Sequence, residues 1–402
     1  MNSFRLVLTA VLSIGCVHSA FGQWDFSGEL GLELRMFPQS PAYASQDDDT
    51  FSPSISFQPE IVYEWNDGLK RITVEPYVRW DQHDDRRTHF DLREASYLHL
   101  ADTWDMTIGL SRVFWGVTES VHLVDVINQT DGVEDIDSED KLGQPMLNVN
   151  WLKDSGTYSI FVLPGFRERT FPDDNARRSG PFEILQWDPA YESGAEEHHV
   201  DFAVRWAHTL GNWDLGLSHF YGTSREARLM PVMTPGGPKF QPYYELMHQT
   251  GLDVQYTKDA WLWKFEAIYR NGEDDSFIAA VGGFEYSFYQ IFESDKDLGV
   301  LLEYQFDDRA DDGSAPFTIA DNDIFAGARL AFNNEASSAV LAGVVFDHEE
   351  NTLLGLVEAE HRLTNNWMMQ IEARFITNAN DDDPAYLFRR DDALTLRMTY
   401  AF

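Results

Sequence analysis

From Gln23 onward the chain runs in short bursts in which apolar and polar residues alternate, each burst closed by a turn. In the stretch 261–270, Trp261, Trp263, Phe265, Ala267 and Tyr269 fall on one face, while Lys264, Glu266 and Arg270 take the other. A side-chain period of two is the signature of a strand with unlike faces. The pattern recurs at 71–80, 89–100, 200–208, 298–306, 367–375 and 394–402, where helical spacing fails. The whole chain divides into eighteen such segments. Their connections alternate in length: short at 66–68, 101–103, 153–156, 210–212, 258–260, 294–297, 333–336 and 364–366, and mostly long at 36–52, 81–87, 113–144, 167–196, 224–244, 271–275, 308–320, 348–351 and 379–390. Short turns on one side and long loops on the other predict an all-β fold, a transmembrane antiparallel β-barrel of about eighteen strands with periplasmic turns and extracellular loops. Sixteen strands is the alternative, should segments 146–152 and 158–166 pair outside the barrel.

Aromatic placement supports the layout. Trp65, Trp104, Trp151, Trp213, Trp261 and Trp367 each stand within two residues of a short connection, although only 12 of 402 residues are Trp. Amphipathic rings collect where hydrocarbon meets head groups, so these read as a periplasmic girdle. The last segment places Leu394, Leu396, Met398, Tyr400 and Phe402 on one face and stops on an aromatic residue. It resembles the final strand of Gram-negative outer-membrane proteins, whose terminal aromatic serves insertion into that membrane.

The N-terminus adds a compartment. Residues 6–17 form an apolar run after Arg5, and Ala20 and Gly22 are small, which predicts a secretory signal peptide over 1–22 and a barrel over 23–402. A lipoprotein reading centred on Cys16 competes, but Ser13 stands where that signal takes an aliphatic residue. Cys16 is the only cysteine, so cleavage before Gln23 leaves a chain with neither disulfide nor thiolate metal site. A net charge of −37 argues against nucleic-acid binding, which requires a basic face. After the signal there is no apolar run long enough for a spanning helix.

Charge placement turns the barrel into a candidate channel. By parity, the polar strand faces carry Arg71, Glu75, Arg79, Asp91, Arg93, Arg205, Lys264, Glu266, Arg270, Arg329, Arg362, Arg374 and Arg397. Each such charge would cost about 2–4 kcal/mol facing lipid near the midplane, and burial in a dry core is worse unless nearly all are paired. A water-filled lumen lined by these residues is the economical arrangement, and a barrel of about 16–18 strands is wide enough to hold one.

Segment 113–144 is long, acidic and aperiodic, and forms the third long loop. The corresponding loop of general porins folds back into the barrel and narrows it, and the resemblance implies the same here. Glu119, Asp125, Asp131, Glu134 and Asp135, with His122, are the candidate constriction residues. Pressed toward Arg71, Arg79 and Arg93, they would set a transverse field across the lumen. Val121, Leu123, Val124, Val126 and Ile127 are too apolar for a fully solvated loop. The run Arg112-Val-Phe-Trp-Gly-Val-Thr-Glu119, followed by Asp125-Val-Ile-Asn128, also resembles a segment of large uncharacterised outer-membrane proteins. Val117 and Gln129 depart from that pattern, where Glu and Pro are usual.

Catalytic chemistry is weakly represented, and the expectation is a protein that is not an enzyme. His198-His199 beside Glu196-Glu197 is the strongest metal candidate, but adjacent strand residues face opposite ways, so no metal site is assigned. Asp308-x-x-x-Asp312-Gly313 lacks the third-position acid and the twelfth-position Glu of a calcium loop. No cofactor is expected beyond loose divalent cations bridging the acidic loops to lipopolysaccharide. The reading is an outer-membrane porin for ions and small hydrophilic solutes, with a homotrimer as an open oligomeric state. Two further readings stay open: an uptake barrel in which the arginines bind acidic sugars or organic anions, and a non-channel surface or periplasmic β protein.

Overall fold

The computed structural model describes residues 22–319, 321–381 and 383–402; apart from Gly22, the expected signal peptide and Cys16 lie outside them. The wall begins with β1 (Gln23–Met36), β2 (Phe51–Trp65), β3 (Lys70–Asp81), β4 (His89–Leu100), β5 (Trp104–Ser111), β6 (Gln144–Lys153) and β7 (Gly156–Pro164). A two-residue strand, β8 (Ala190–Tyr191), precedes β9 (Val200–Leu210) and β10 (Trp213–Thr223). A hairpin of β11 (Arg228–Thr234) and β12 (Gly237–Tyr244) comes next. The wall then continues with β13 (Leu246–Lys258), β14 (Trp261–Asn271), β15 (Ser276–Phe288), β16 (Asp297–Asp307), β17 (Asp323–Ala331) and β18 (Ala339–Asp347). It ends with β19 (Leu353–Arg362), β20 (Trp367–Thr377) and β21 (Ala393–Ala401).

Eighteen of these strands form one sheet, and β8, β11 and β12 form a separate three-stranded sheet. The large sheet closes on itself, because β21 pairs antiparallel with β1 from Met36 opposite Leu394 to Glu29 opposite Ala401. Beyond that pairing, Gly28 and Phe402 exchange both backbone hydrogen bonds (3.2 and 3.0 Å). The terminal aromatic is therefore part of the closure, and its ring stacks on Phe57 with centroids 5.9 Å apart. The sixteen-strand alternative does not hold: β6 and β7 are wall strands, running from Lys153 opposite Gly156 to Pro164 opposite Val200 on β9. The small sheet was not expected, although Thr234-Pro-Gly-Gly237 is a hairpin signal inside what reads as a loop.

The two faces separate as the alternation requires. On β14, Trp261, Trp263, Phe265 and Tyr269 are exposed on the outer surface, whereas Glu266, Ile268 and Arg270 are buried on the inner one. On β1, Leu32 and Leu34 face outward and Glu33 and Arg35 inward. An apolar band of this extent around a closed barrel requires hydrocarbon as its solvent. Among the described residues no helix is long and apolar enough to cross a membrane, and strands supply the span. Phe265→Arg is expected to destabilise the barrel in a bilayer by about 2–4 kcal/mol, read from urea unfolding in vesicles. An unchanged midpoint would place that face outside the hydrocarbon.

A register shift at Glu75/Pro76 makes β4 carry one residue more than β3 at that level. A bulge of this kind re-aims side chains, and it brings Asp91, Arg93 and Ser96 to the buried inner face together.

Candidate functional site

Segment 112–143, the connection between β5 and β6, lies inside the barrel and reaches opposite walls. Its first half is held on β14 and β16 by two carboxylates that accept main-chain hydrogens. Glu266 accepts from Val117 N–H (2.6 Å), Thr118 N–H (3.0 Å), Thr118 Oγ1 (2.8 Å) and Val124 N–H (3.2 Å). Glu303 accepts from Glu119 N–H (2.9 Å), Ser120 N–H (2.9 Å) and Ser120 Oγ (2.7 Å). Asp125 turns back into its own loop and accepts from Trp115 N–H at 2.6 Å and Gly116 N–H at 3.2 Å. It therefore shapes the loop and, among the described residues, makes no ion pair with the wall.

An apolar wedge fixes the middle of the segment. Trp115, Val124, Val126 and Ile127 pack on Met146, Phe161, Leu163, Ala203, Phe220, Met247, Ile268, Phe277 and Ala279, all inward-facing wall residues. Each fully buried Val or Ile contributes about 1.5–3 kcal/mol, enough to keep the loop out of solvent. The wall partners occupy polar-face parity; Ile268, between Glu266 and Arg270, marks the place where polar-inward alternation gives way.

The second half of the loop meets arginines on β1, β3 and β4. Asp131 pairs with Arg93 (2.6 Å), Glu134 with Arg79 (2.7 Å), and Asp135 with Arg35 (3.4 Å) and Arg178 (3.1 Å). Tyr77 OH donates to Glu134 at 2.8 Å. Behind them Glu33 receives Arg87 (2.8 Å), Arg397 (2.9 Å), Arg35 (3.1 Å) and Arg79 (3.5 Å), while Arg87 also holds Asp81 at 2.6 Å. Burial opposes the charge on Glu134 and Asp135, yet the facing guanidiniums hold both below the usual carboxylate range. These charges are buried, so they stand only because each has a partner. Glu33, Arg35 and Arg87 were missed by sequence reading. The first two sit on the inner parity of Leu30-Gly-Leu-Glu-Leu-Arg35, a legible alternation, whereas Arg87 comes from a connection and carried no periodic signal.

The remaining wall residues divide by level. Glu119 reaches Lys264 (3.4 Å) and Arg329, on the wall opposite Arg79. Arg374 takes Asp137 at 2.7 Å, and Arg205 takes Asp253 in two bonds (2.6 and 2.8 Å) over the Trp115 ring. Gly216 leaves room there, because a Cβ would come 2.1 Å from Asp253 Oδ2. Arg270 donates to Ser224 Oγ (2.9 Å) and pairs with Glu226, and Asp91 takes Arg167 at 2.6 Å. Glu75 accepts from Arg112 at 2.5 Å. Arg71 corrects an expectation: it stands at the short-turn end, paired with Glu64 (2.5 Å), below the loop's reach. Arg362 lies on the inner register at the same end and is exposed.

His122 stacks edge-on to Phe114 and lies 4.0 Å from Glu266. His198 and His199 part company, His198 beside Glu197 (3.6 Å) and His199 on the buried Asp201 (2.7 Å). Among the described residues the groupings with metal-ligand spacing are Asp47/Asp49/His83, His89/Asp131/Glu134 and Asp321/Asp323/Asp347, none of which the sequence reading singled out. The second of these is crowded by Arg79 and Arg93, a poor donor set for a cation.

Loop docking carries a pH dependence. Burial first, then the charges of Glu134 and Asp137, push Asp140 up to about 6. A carboxyl raised in the docked state resists ionisation there, so docking weakens as pH rises from the free value through about 6. Burial lowers His122, but the Glu266 carboxylate beside it outweighs that and raises it, so its contribution is present at acid pH and lost as pH rises through the raised value. Both signs agree. Amide exchange of residues 117–142 is expected to quicken between pH 5 and pH 8, beyond its intrinsic rate; a constant protection factor contradicts this.

No family model and no curated protein matches the chain. Among solved structures it is similar to Wzi, an outer-membrane protein involved in group 1 capsule assembly in Escherichia coli and described as a carbohydrate-binding β-barrel. That match has 9% identity over 93% of this chain and 84% of that chain, with TM-score 0.53. Outer-membrane-expressed OmpT of Vibrio cholerae (12% identity, 96% and 99% of the two chains, TM-score 0.45) and a mutant of the Rh. blastica porin (10%, 94% and 100%, TM-score 0.45) are also similar. With its closed eighteen-stranded wall, the chain has the fold of a porin-like outer-membrane β-barrel.

Proposed function

We propose that this protein is an outer-membrane channel for ions and small hydrophilic solutes, held to low conductance by segment 112–143. The observation that carries the reading is the docking of that segment across the lumen, from Glu266 and Glu303 on one wall to Arg35, Arg79 and Arg93 on the other. Charge facing charge over a constriction selects among ions and polar solutes. Inner-face residues Glu360 and Arg362 of β19 are exposed at the short-turn end, where the lumen opens below the loop. Planar-bilayer recordings are expected to show small, steady, ohmic steps. Absence of any step from folded, heat-modifiable protein overturns the reading.

The uptake barrel for acidic sugars or organic anions is the second reading, favoured by the likeness to a carbohydrate-binding barrel. It is the weaker one, because Arg79, Arg87 and Arg93 are already engaged by Glu33, Asp81, Asp131 and Glu134. Block of the steps by one such anion at micromolar level, with no block by neutral sugars, would favour it.

A further inference from the structure

The wall is lower between β4 and β7 than on either side. The pairing of β4 with β5 stops at Ala95 opposite Leu110, and β6 begins at Gln144 opposite Ser111. Residues 89–94 therefore have β3 on one flank and no strand on the other. The eight residues of β5, at about 3.4 Å each and a tilt near 40°, rise about 21 Å, short of an apolar band about 25 Å tall. The wall thus has a notch whose floor lies within the outer half of the band.

Two chain segments cross the notch. Gly143 lies against the backbone of Arg93, so closely that a Cβ would come 2.4 Å from that carbonyl oxygen. Arg167 ties the second segment to it, donating to Gly143 O (3.0 Å) and to Asp91 (2.6 Å). At this strap lies a cavity of about 690 Å³. Its lining includes Phe90, 70% exposed on the outer face, and Asp91 on the inner face, together with Leu142, Phe166 and Trp187. A cavity bordered by neighbours of opposite parity passes through the line of the wall.

Its polar end is Arg169. Among the described residues no carboxylate stands at ion-pair distance from this guanidinium, and its one ring neighbour is Phe171, with the centroid 6.0 Å away. The other lining arginines are spent, Arg86 on Asp173 (3.3 Å) and Arg167 on Asp91. Of the lining acids not held by these arginines, Glu168 accepts from Tyr191 OH, Glu197 lies 3.6 Å from His198, and Asp85 is exposed to solvent. Burial lowers the pKa of Arg169, and Glu226, the nearest opposing charge, offsets that only in part from beyond ion-pair distance.

We propose that the notch is a lateral portal through which a single-chain amphipath with an anionic head group enters from the outer leaflet. The chain passes Phe90 and lies against Leu142, Phe166 and Trp187, and the head group meets Arg169. The proposal rests on the membrane placement proposed above and is independent of conductance.

The test uses full-length protein in phosphatidylcholine vesicles, titrated with dibromostearate, whose bromines quench tryptophan on contact. Subtracting the Trp187→Phe signal isolates Trp187. Saturable quenching of Trp187 is expected, with half-saturation raised about tenfold by Arg169→Gln, the loss of one charge-assisted bond. Phe90→Asp is expected to weaken it similarly, and the uncharged methyl ester to quench without saturation. Quenching of Trp187 that rises linearly with bulk lipid partition, or that Arg169→Gln leaves unchanged, overturns the portal. Full competition by inorganic phosphate overturns the role of the chain. Heat-modifiable mobility of each variant checks membrane placement separately.

Discussion

Deletion of residues 119–140 is expected to raise single-channel conductance several-fold. An eighteen-stranded wall encloses an aqueous channel when nothing crosses it, and this segment crosses it from Glu303 to Arg35. The barrel itself should survive. None of the strand pairings that close the wall uses the deleted residues; Glu303 would exchange its Glu119 and Ser120 donors for water, and Glu266 would lose only Val124 N–H. The apolar patch around Phe220, Met247 and Phe277 would become wet, so a lower unfolding midpoint should accompany the larger conductance. Folded protein whose conductance is unchanged would remove the constriction role altogether.

The double substitution Asp131→Asn, Glu134→Gln is expected to be the most damaging small change. Asp131 is fully buried and Glu134 nearly so, and together they face Arg79, Arg87, Arg93 and His89. Removing one partner of a buried pair costs about 3–5 kcal/mol, because the other charge stays without compensation. Denaturant unfolding in vesicles should register a loss of that order, and reversal potentials in a salt gradient should move toward anions. If stability falls by less than about 1 kcal/mol, in the range of exposed pairs, water already screens this cluster. Arg71→Gln is the contrasting change, since its pair with Glu64 is half exposed at the short-turn end.

The strands were legible because hydrocarbon outside and polar residues inside impose a period of two on every wall segment. The girdle tryptophans and the closing Phe402 followed from the same alternation. Inner-face charges such as Lys264, Glu266 and Arg374 could be assigned by parity alone. Partnership could not. Asp125 and Asp131 look alike in a run of acids, yet one caps loop amides and the other meets Arg93. That difference depends on where a 32-residue aperiodic segment bends, and no periodicity reports a bend. Arg87 and Arg178 were missed for the same reason, since both reach the lumen from connections. The strands β8, β11 and β12 were hidden because β8 has only two residues, and β11 and β12, interrupted by Pro231, Pro238 and Pro242, show no alternation of apolar and polar positions.

The reach of the docked loop in sequence has a consequence for assembly. Its partners lie far away on both sides: Asp135 meets Arg35 across 100 positions, Thr118 meets Glu266 across 148, and Glu119 meets Arg329 across 210. Contacts so distant along the chain form late. The segment therefore seats fully only after β17, which carries Arg329, has joined the wall, so the stopper of the lumen depends on strands that come late in the chain.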